Sequence, residues 1–208
     1  MKRTILIPTV IAGVYLLLLV LAAACQSAGA EEQTVETTIK AEPAPAEDPV
    51  KRGAYLVAAV GCHDCHSPKI MGPSGPEPDP ELLLSGYPAE RPLPEVALDA
   101  IGPGKWTLFN EDLTAAVGPW GVSFAANLTS DPTGVGNWTE AQFLKAIREG
   151  KFKGLDNSRP LLPPMPWPAY RNLSDEDLKA IFAYLKTTKA VRNIVPAPIP
   201  PDQIAEQG

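Results

Sequence analysis

The sequence predicts a small, mainly α-helical domain that carries a long Pro/Gly-rich insertion and follows an export segment. Three observations predict it. Apolar residues recur at helical spacing just before a dense cysteine–histidine cluster, and again near the C-terminus. Residues 67–124, between these stretches, are rich in Pro and Gly and show no strong helical period. Residues 1–24 combine a basic start with an apolar run. The 24 Pro and 16 Gly in 208 residues, with 7% aromatic residues, favour turns over long regular elements.

Lys2 and Arg3 precede an uncharged, mostly apolar run from Ile5 to Leu21, which leads into Ala22-Ala23-Ala24-Cys25. This order describes an export signal whose basic end stays in the cytoplasm, so the remainder is delivered outside it. Three fates compete: lipid attachment at Cys25, cleavage after Ala28-Gly29-Ala30, and retention as a membrane-spanning anchor. The first resembles a bacterial lipoprotein signal, with Ala22 standing where Leu is usual and Leu21 one position early. It is favoured because an odd cysteine in an exported chain calls for a role; the plainer reading discards Cys25 with the signal. The expected location is the bacterial periplasm or cell surface, anchored to the membrane. Residues 25–47 are polar, acidic and Pro-containing, as a flexible tether would be. A net charge of −6 with no stripe of Lys and Arg argues against nucleic acid as a partner.

The domain proper is expected over residues 48–190. Asp48-Pro49 supplies an N-cap and a first-turn proline, and Val50, Ala54, Val57 and Val60 continue at helical spacing. Gly53 weakens that helix but would let another helix approach closely.

Cys62-His63-Asp64-Cys65-His66 then fits C-x-x-C-H, the attachment signature of a c-type haem. Cys62 and Cys65 would form thioether bonds to the macrocycle, and His66 would reach the iron from one face. A structural zinc site would spread its ligands over separated pairs. A redox pair would want a βαβ setting, and a plain disulfide would leave the histidine unexplained. His63, between the cysteines, reads as a solvent-exposed spacer. No other histidine remains for the second axial position, which leaves Met71 and Met165 after export. Met71 lies close behind His66 on the proximal side. Met165 lies in Leu-Leu-Pro-Pro-Met-Pro-Trp-Pro, a stiff segment able to present a side chain, and is the preferred distal ligand over simple gap filling. One haem c with His66/Met165 ligation is therefore expected.

Within the insertion, Trp106–Phe109 and Gly121–Phe124 read as strands of a short β-hairpin. The segment would dock a partner, cover the haem, or simply wrap the domain. Thr139 and Gln142 form a capping box for a helix that stops at Gly150. Trp138 staples onto Phe143 in the preferred reading, or lies near the haem edge. The last helix begins at Ser174 with Asp175, Glu176 and Asp177 in its first turn, and Leu173 and Leu178 at staple spacing. Leu178, Ile181, Phe182 and Leu185 form its apolar face, Lys186 and Lys189 lie toward its end, and Asn193 is one candidate C-cap. Residues 191–208 read as an extended, Pro-rich tail.

With a first helix leading into C-x-x-C-H and a last helix crossing it, the chain resembles class I cytochrome c. Asn127-Leu128-Thr129, Gly134-Val135-Gly136-Asn137-Trp138 and Pro164-Met165-Pro166 further resemble the cytochrome subunits that accompany membrane-bound periplasmic dehydrogenases. The likeness covers roughly residues 49 to 190, and only the haem motif in it is specific on its own. It implies a cytochrome c fold with Cys62, Cys65, His66 and Met165 as haem residues. It also implies that the His66 N–H meets a carbonyl of a Gly-Pro segment, for which Gly72-Pro73, Gly75-Pro76, Gly102-Pro103 and Gly118-Pro119 all qualify. Such subunits often carry several haem motifs, whereas this chain has one. The expected role is non-catalytic electron transfer from a dehydrogenase or quinol-oxidising complex to an oxidase or another cytochrome. A permanent dehydrogenase or oxidase subunit is the alternative. A peroxidase-like enzyme or haem sensor would need an open sixth site.

Overall fold

The computed structural model describes residues 48–207, so the export signal, Cys25 and the tether lie outside the described residues. Helix α1 spans Pro49–Ala59, and the Asp48 carboxylate accepts the Val50 N–H at 2.9 Å. Gly61 then takes a left-handed conformation (φ 74°), which reorients the chain into the short helix α2, Cys62–His66. Helix α3, Glu140–Glu149, has both halves of its capping box and ends on left-handed Gly150. Helix α4 is the short Trp167–Tyr170 turn. Helix α5, Asp175–Leu185, starts with the Ser174 hydroxyl accepting the Asp177 N–H at 3.0 Å.

The helices enclose one core. Leu56 and Val57 of α1, Phe143 and Ile147 of α3, and Leu178, Ile181, Phe182 and Leu185 of α5 are buried together. Phe143 stacks on Phe182 with ring centroids 5.3 Å apart. Trp138 and Leu173 pack against the same cluster, which contains Phe143 and Leu178, the partners that staple spacing assigned them. Helices α1 and α5 meet at Gly53, and Arg52 Nε donates to Asp177 at 2.9 Å beside that contact.

The insertion is not a featureless loop. Strands β1 (Lys69–Gly72) and β2 (Gly75–Pro78) form one antiparallel hairpin. Strands β3 (Leu108–Phe109), β4 (Ala115–Gly118) and β5 (Gly121–Phe124) form an antiparallel sheet in the order β3-β4-β5. The expected pairing of Trp106–Phe109 with Gly121–Phe124 is therefore corrected, because β4 lies between them. Ala115-Ala116-Val117-Gly118 is buried at every position, so it has none of the alternation that marks a half-exposed strand. These sheets make the described domain mixed α and β rather than mainly α.

The sheet has a small core of its own, in which Val117, Val122 and Ile204 are buried against Leu108, Phe124 and Ile199. The chain beyond residue 190 completes it. Val122 N–H donates to the Ile199 carbonyl at 2.8 Å and Ile199 N–H returns a bond of 3.0 Å. A 3-10 helix over Pro201–Gln207 then seats Ile204, 5% exposed. Asn193 caps no helix, since α5 ends at Leu185 with Lys186 as its C-cap. Its side-chain amide instead donates to the Ser85 and Tyr87 carbonyls at 2.7 and 2.9 Å and accepts the Ala89 N–H at 2.9 Å. Asn127 clips the same segment, donating to the Val191 carbonyl at 2.8 Å while its own oxygen accepts both Thr129 donors. Lys186 and Lys189 both lie past the helical turns. Lys186 reaches the carbonyls of Val135 and Gly136, and Lys189 pairs with Glu81. Among the described residues no helix is long and apolar enough to cross a membrane.

Candidate haem-attachment site

Cys65 follows Cys62 by three positions on α2, so both thiols lie on one side of a single helical turn, with His66 directly after. Both thiols are free of disulfide and half-buried. Burial pushes the Cys62 thiol up to about 11, with the Asp64 carboxylate adding to the effect. Burial raises Cys65 as well, against the opposing pull of Lys69. Thiols held protonated are poor thiolate ligands and slow partners in disulfide exchange. Among the described residues no group of three or more His, Cys, Asp and Glu is placed to hold a metal ion.

The His66 ring is set by its Nδ1, which lies 2.7 Å from the Ala126 carbonyl oxygen. A carbonyl only accepts, so Nδ1 carries the proton and Nε2 keeps its lone pair. Burial lowers the His66 pKa against the raising effect of that bond, which favours the neutral ring. The carbonyl is not from a Gly-Pro segment, which corrects that expectation. Ala126 follows the end of β5, and its stretch is laid against the haem motif by the backbone. Tyr87 N–H donates to the Ala125 carbonyl at 3.0 Å, Leu128 N–H to Leu84 at 2.8 Å, and Gly86 N–H to His66 itself at 2.8 Å. Nothing in Ala125-Ala126 marks this role, since every residue owns a carbonyl.

His63 is half-buried rather than a solvent-exposed spacer. Its Nδ1 lies 2.9 Å from the hydroxyl of Ser67, a fully buried residue that also accepts the Leu84 N–H at 2.9 Å. The histidine thereby ties the motif to the following loop. Burial lowers its pKa too. Lys69, another residue that sequence reading missed, extends its ammonium to the carbonyls of Asp64 (2.5 Å), Ser67 (3.3 Å) and Asp112 (2.6 Å). It joins the end of α2 to the insertion.

Met71 projects from β1 with 78% of its surface exposed. Met165 is half-buried and packs against the helical core that also receives Cys62. Two side-chain bonds help hold the Met165 segment. The Ser123 hydroxyl donates to the Pro163 carbonyl at 2.6 Å, and the Tyr170 hydroxyl donates to the Val60 carbonyl at 2.6 Å, two residues before Cys62. Paired protonated thiols, a neutral imidazole with one committed nitrogen and an inward thioether together fit a covalently attached haem.

Comparison with known proteins gives the same direction. The family model described as Cytochrome c matches residues 50–189. The chain is 33% identical over 136 residues to the gluconate 2-dehydrogenase cytochrome c subunit of Pantoea cypripedii, covering 65% of this chain and 22% of that one. It is 32% identical over 148 residues to the fructose dehydrogenase cytochrome subunit of Gluconobacter japonicus, covering 70% and 22%. It is 42% identical over 67 residues to the cytochrome c subunit of the quinone-dependent alcohol dehydrogenase of Gluconacetobacter polyoxogenes, covering 32% and 14%. The chain thus spans less than a quarter of the length of these relatives.

Proposed function

Since the chain belongs to the cytochrome c family, we propose that it transfers single electrons outside the cytoplasm through one haem c. Cys62 and Cys65 would bind the macrocycle, with His66 Nε2 and Met165 Sδ as axial ligands. The observation that carries this reading is the His66 Nδ1 bond to the Ala126 carbonyl, which leaves a neutral, oriented nitrogen beside two free thiols. When bound, the haem supplies the ferric/ferrous couple, and a thioether ligand raises its potential. The protein's part is to bury the centre and to fix both ligands. With His66 and Met165 both holding the iron, no place would be left there for a substrate, and the chain would carry electrons rather than catalyse bond chemistry.

The relatives' names as dehydrogenase cytochrome subunits support a dehydrogenase as electron donor. An oxidase or another cytochrome would accept. Membrane attachment through the N-terminus, by lipid on Cys25, completes the reading. Co-elution with a dehydrogenase from solubilised membranes distinguishes a permanent subunit from a free carrier.

Two results test the proposal. The ferric, haem-loaded protein is expected to show a sulfur-to-iron charge-transfer band that is abolished in Met165→Ala and retained in Met71→Ala; the reverse pattern refutes the assignment. Cys25→Ala is expected to move the protein from the membrane to the soluble fraction. Retention in the membrane would favour an uncleaved anchor.

A further inference from the structure

We infer that β5 and its exit form one strut that sets both axial ligands, and that Ser123 is the positioning residue for Met165. The inference rests on the Met165 ligation proposed above. Pro163 lies two residues before Met165, in a segment where Pro163, Pro164, Pro166 and Pro168 have no N–H to offer. Local N–H groups reach the carbonyls of Leu162 and Pro166, whereas others take donors from elsewhere in the fold. Ser123 supplies one. It is 8% exposed, and its hydroxyl lies 2.6 Å from the Pro163 carbonyl and 3.4 Å from that of Ala116. One O–H proton serves one acceptor well, and the shorter bond takes it. The Trp120 indole N–H donates to the same oxygen from 3.2 Å, which helps aim it.

Three residues further along, the Ala126 carbonyl accepts from His66 Nδ1. The stretch between is held on two sides. Val122 pairs with Val117 of β4 and bridges Ile199, while Ala125 N–H donates to the Thr114 carbonyl at 2.8 Å. A ligand carried on a Pro-rich loop is thereby referenced to the same strand as its counterpart. Sites built on regular elements hold their geometry more closely than sites on loops. The insertion thus acts on ligand geometry and is more than a covering wrap.

Imidazole titration of the ferric, haem-loaded protein tests this, because added imidazole competes with Met165 for the iron. Ser123→Ala is expected to raise the apparent imidazole affinity about five- to tenfold, the equivalent of one neutral hydrogen bond. Ser123→Thr, which restores a hydroxyl, and Trp120→Phe, which leaves the Pro163 bond in place, are expected to stay within about twofold of the parent. An unchanged imidazole affinity in Ser123→Ala, with or without a lower unfolding midpoint, overturns the positioning role. A rise in Trp120→Phe equal to that in Ser123→Ala overturns the assignment to the Pro163 bond. Absence of the sulfur-to-iron band from the parent protein, by contrast, defeats the ligation itself and this inference with it.

Discussion

Gly53→Ala is expected to destabilise the domain by about 3 kcal/mol or more, against an intrinsic helix preference that favours alanine by about 1 kcal/mol. Geometry decides which effect wins. A methyl at position 53 would lie 1.9 Å from the Ala180 carbonyl oxygen, 2.6 Å from its carbon and 2.7 Å from Tyr184 Cβ. Two of these atoms are backbone of α5, so no side chain can swing aside and the helices must part. Parting them opens the core around Val57, Leu178 and Ile181, where lost packing adds to the cost. Against the 5–15 kcal/mol typical of whole domains, roughly speaking, such a loss is a large share. Guanidinium unfolding of the haem-loaded protein followed by far-ultraviolet circular dichroism gives the number. A midpoint equal to or above the parent's would show that α1 and α5 do not touch at this point.

Asp112→Ala should be nearly as costly, at about 2–4 kcal/mol. The Asp112 side chain is 4% exposed and accepts from Arg91. It also accepts from Asn110 Nδ2 at 2.8 Å, the Thr114 hydroxyl at 2.6 Å and the Thr114 N–H at 3.2 Å. Truncation leaves those donors and a half-buried guanidinium without their acceptor. The same carboxylate gives a pH signature. Burial alone would raise its pKa, but the bonds from Thr114 and Arg91 outweigh burial and hold it below the ordinary 3.8. A depressed carboxylate contributes stability that is fully present above the ordinary value and is lost as pH falls through the folded one. Between pH 5 and pH 2, roughly, unfolding midpoints should therefore fall more steeply for the parent than for Asp112→Asn. Parallel profiles would mean that Asp112 is not an ionised partner of this network.

Local signals proved legible where structure is decided within a few residues. Asp48-Pro49, Thr139 with Gln142, and Ser174 with its acidic turn each start a helix by satisfying backbone donors close by, and each does so in the structure. The C-x-x-C-H spacing was equally plain, because two thiols and an imidazole on one turn have few uses. What stayed hidden depends on distant partners. Strand β4 lacks alternation because it is buried at every position, and the cluster around Val117 is completed by Ile199 and Ile204 from far along the chain. Asn193 read as a local cap, yet its amide is spent on Ser85, Tyr87 and Ala89. His63 read as exposed because its buried contact needs Ser67 fixed by Leu84. The acceptor for His66 was invisible because a main-chain oxygen leaves no mark in composition or spacing.

The Val122–Ile199 bridge and the seating of Ile204 carry a consequence for assembly order. Helical packing needs the chain only as far as α5, whereas the small core beside the three-stranded sheet also needs Ile199 and Ile204. Among the described elements, β5 would then gain its backing from the 199–204 stretch only after the helices have packed.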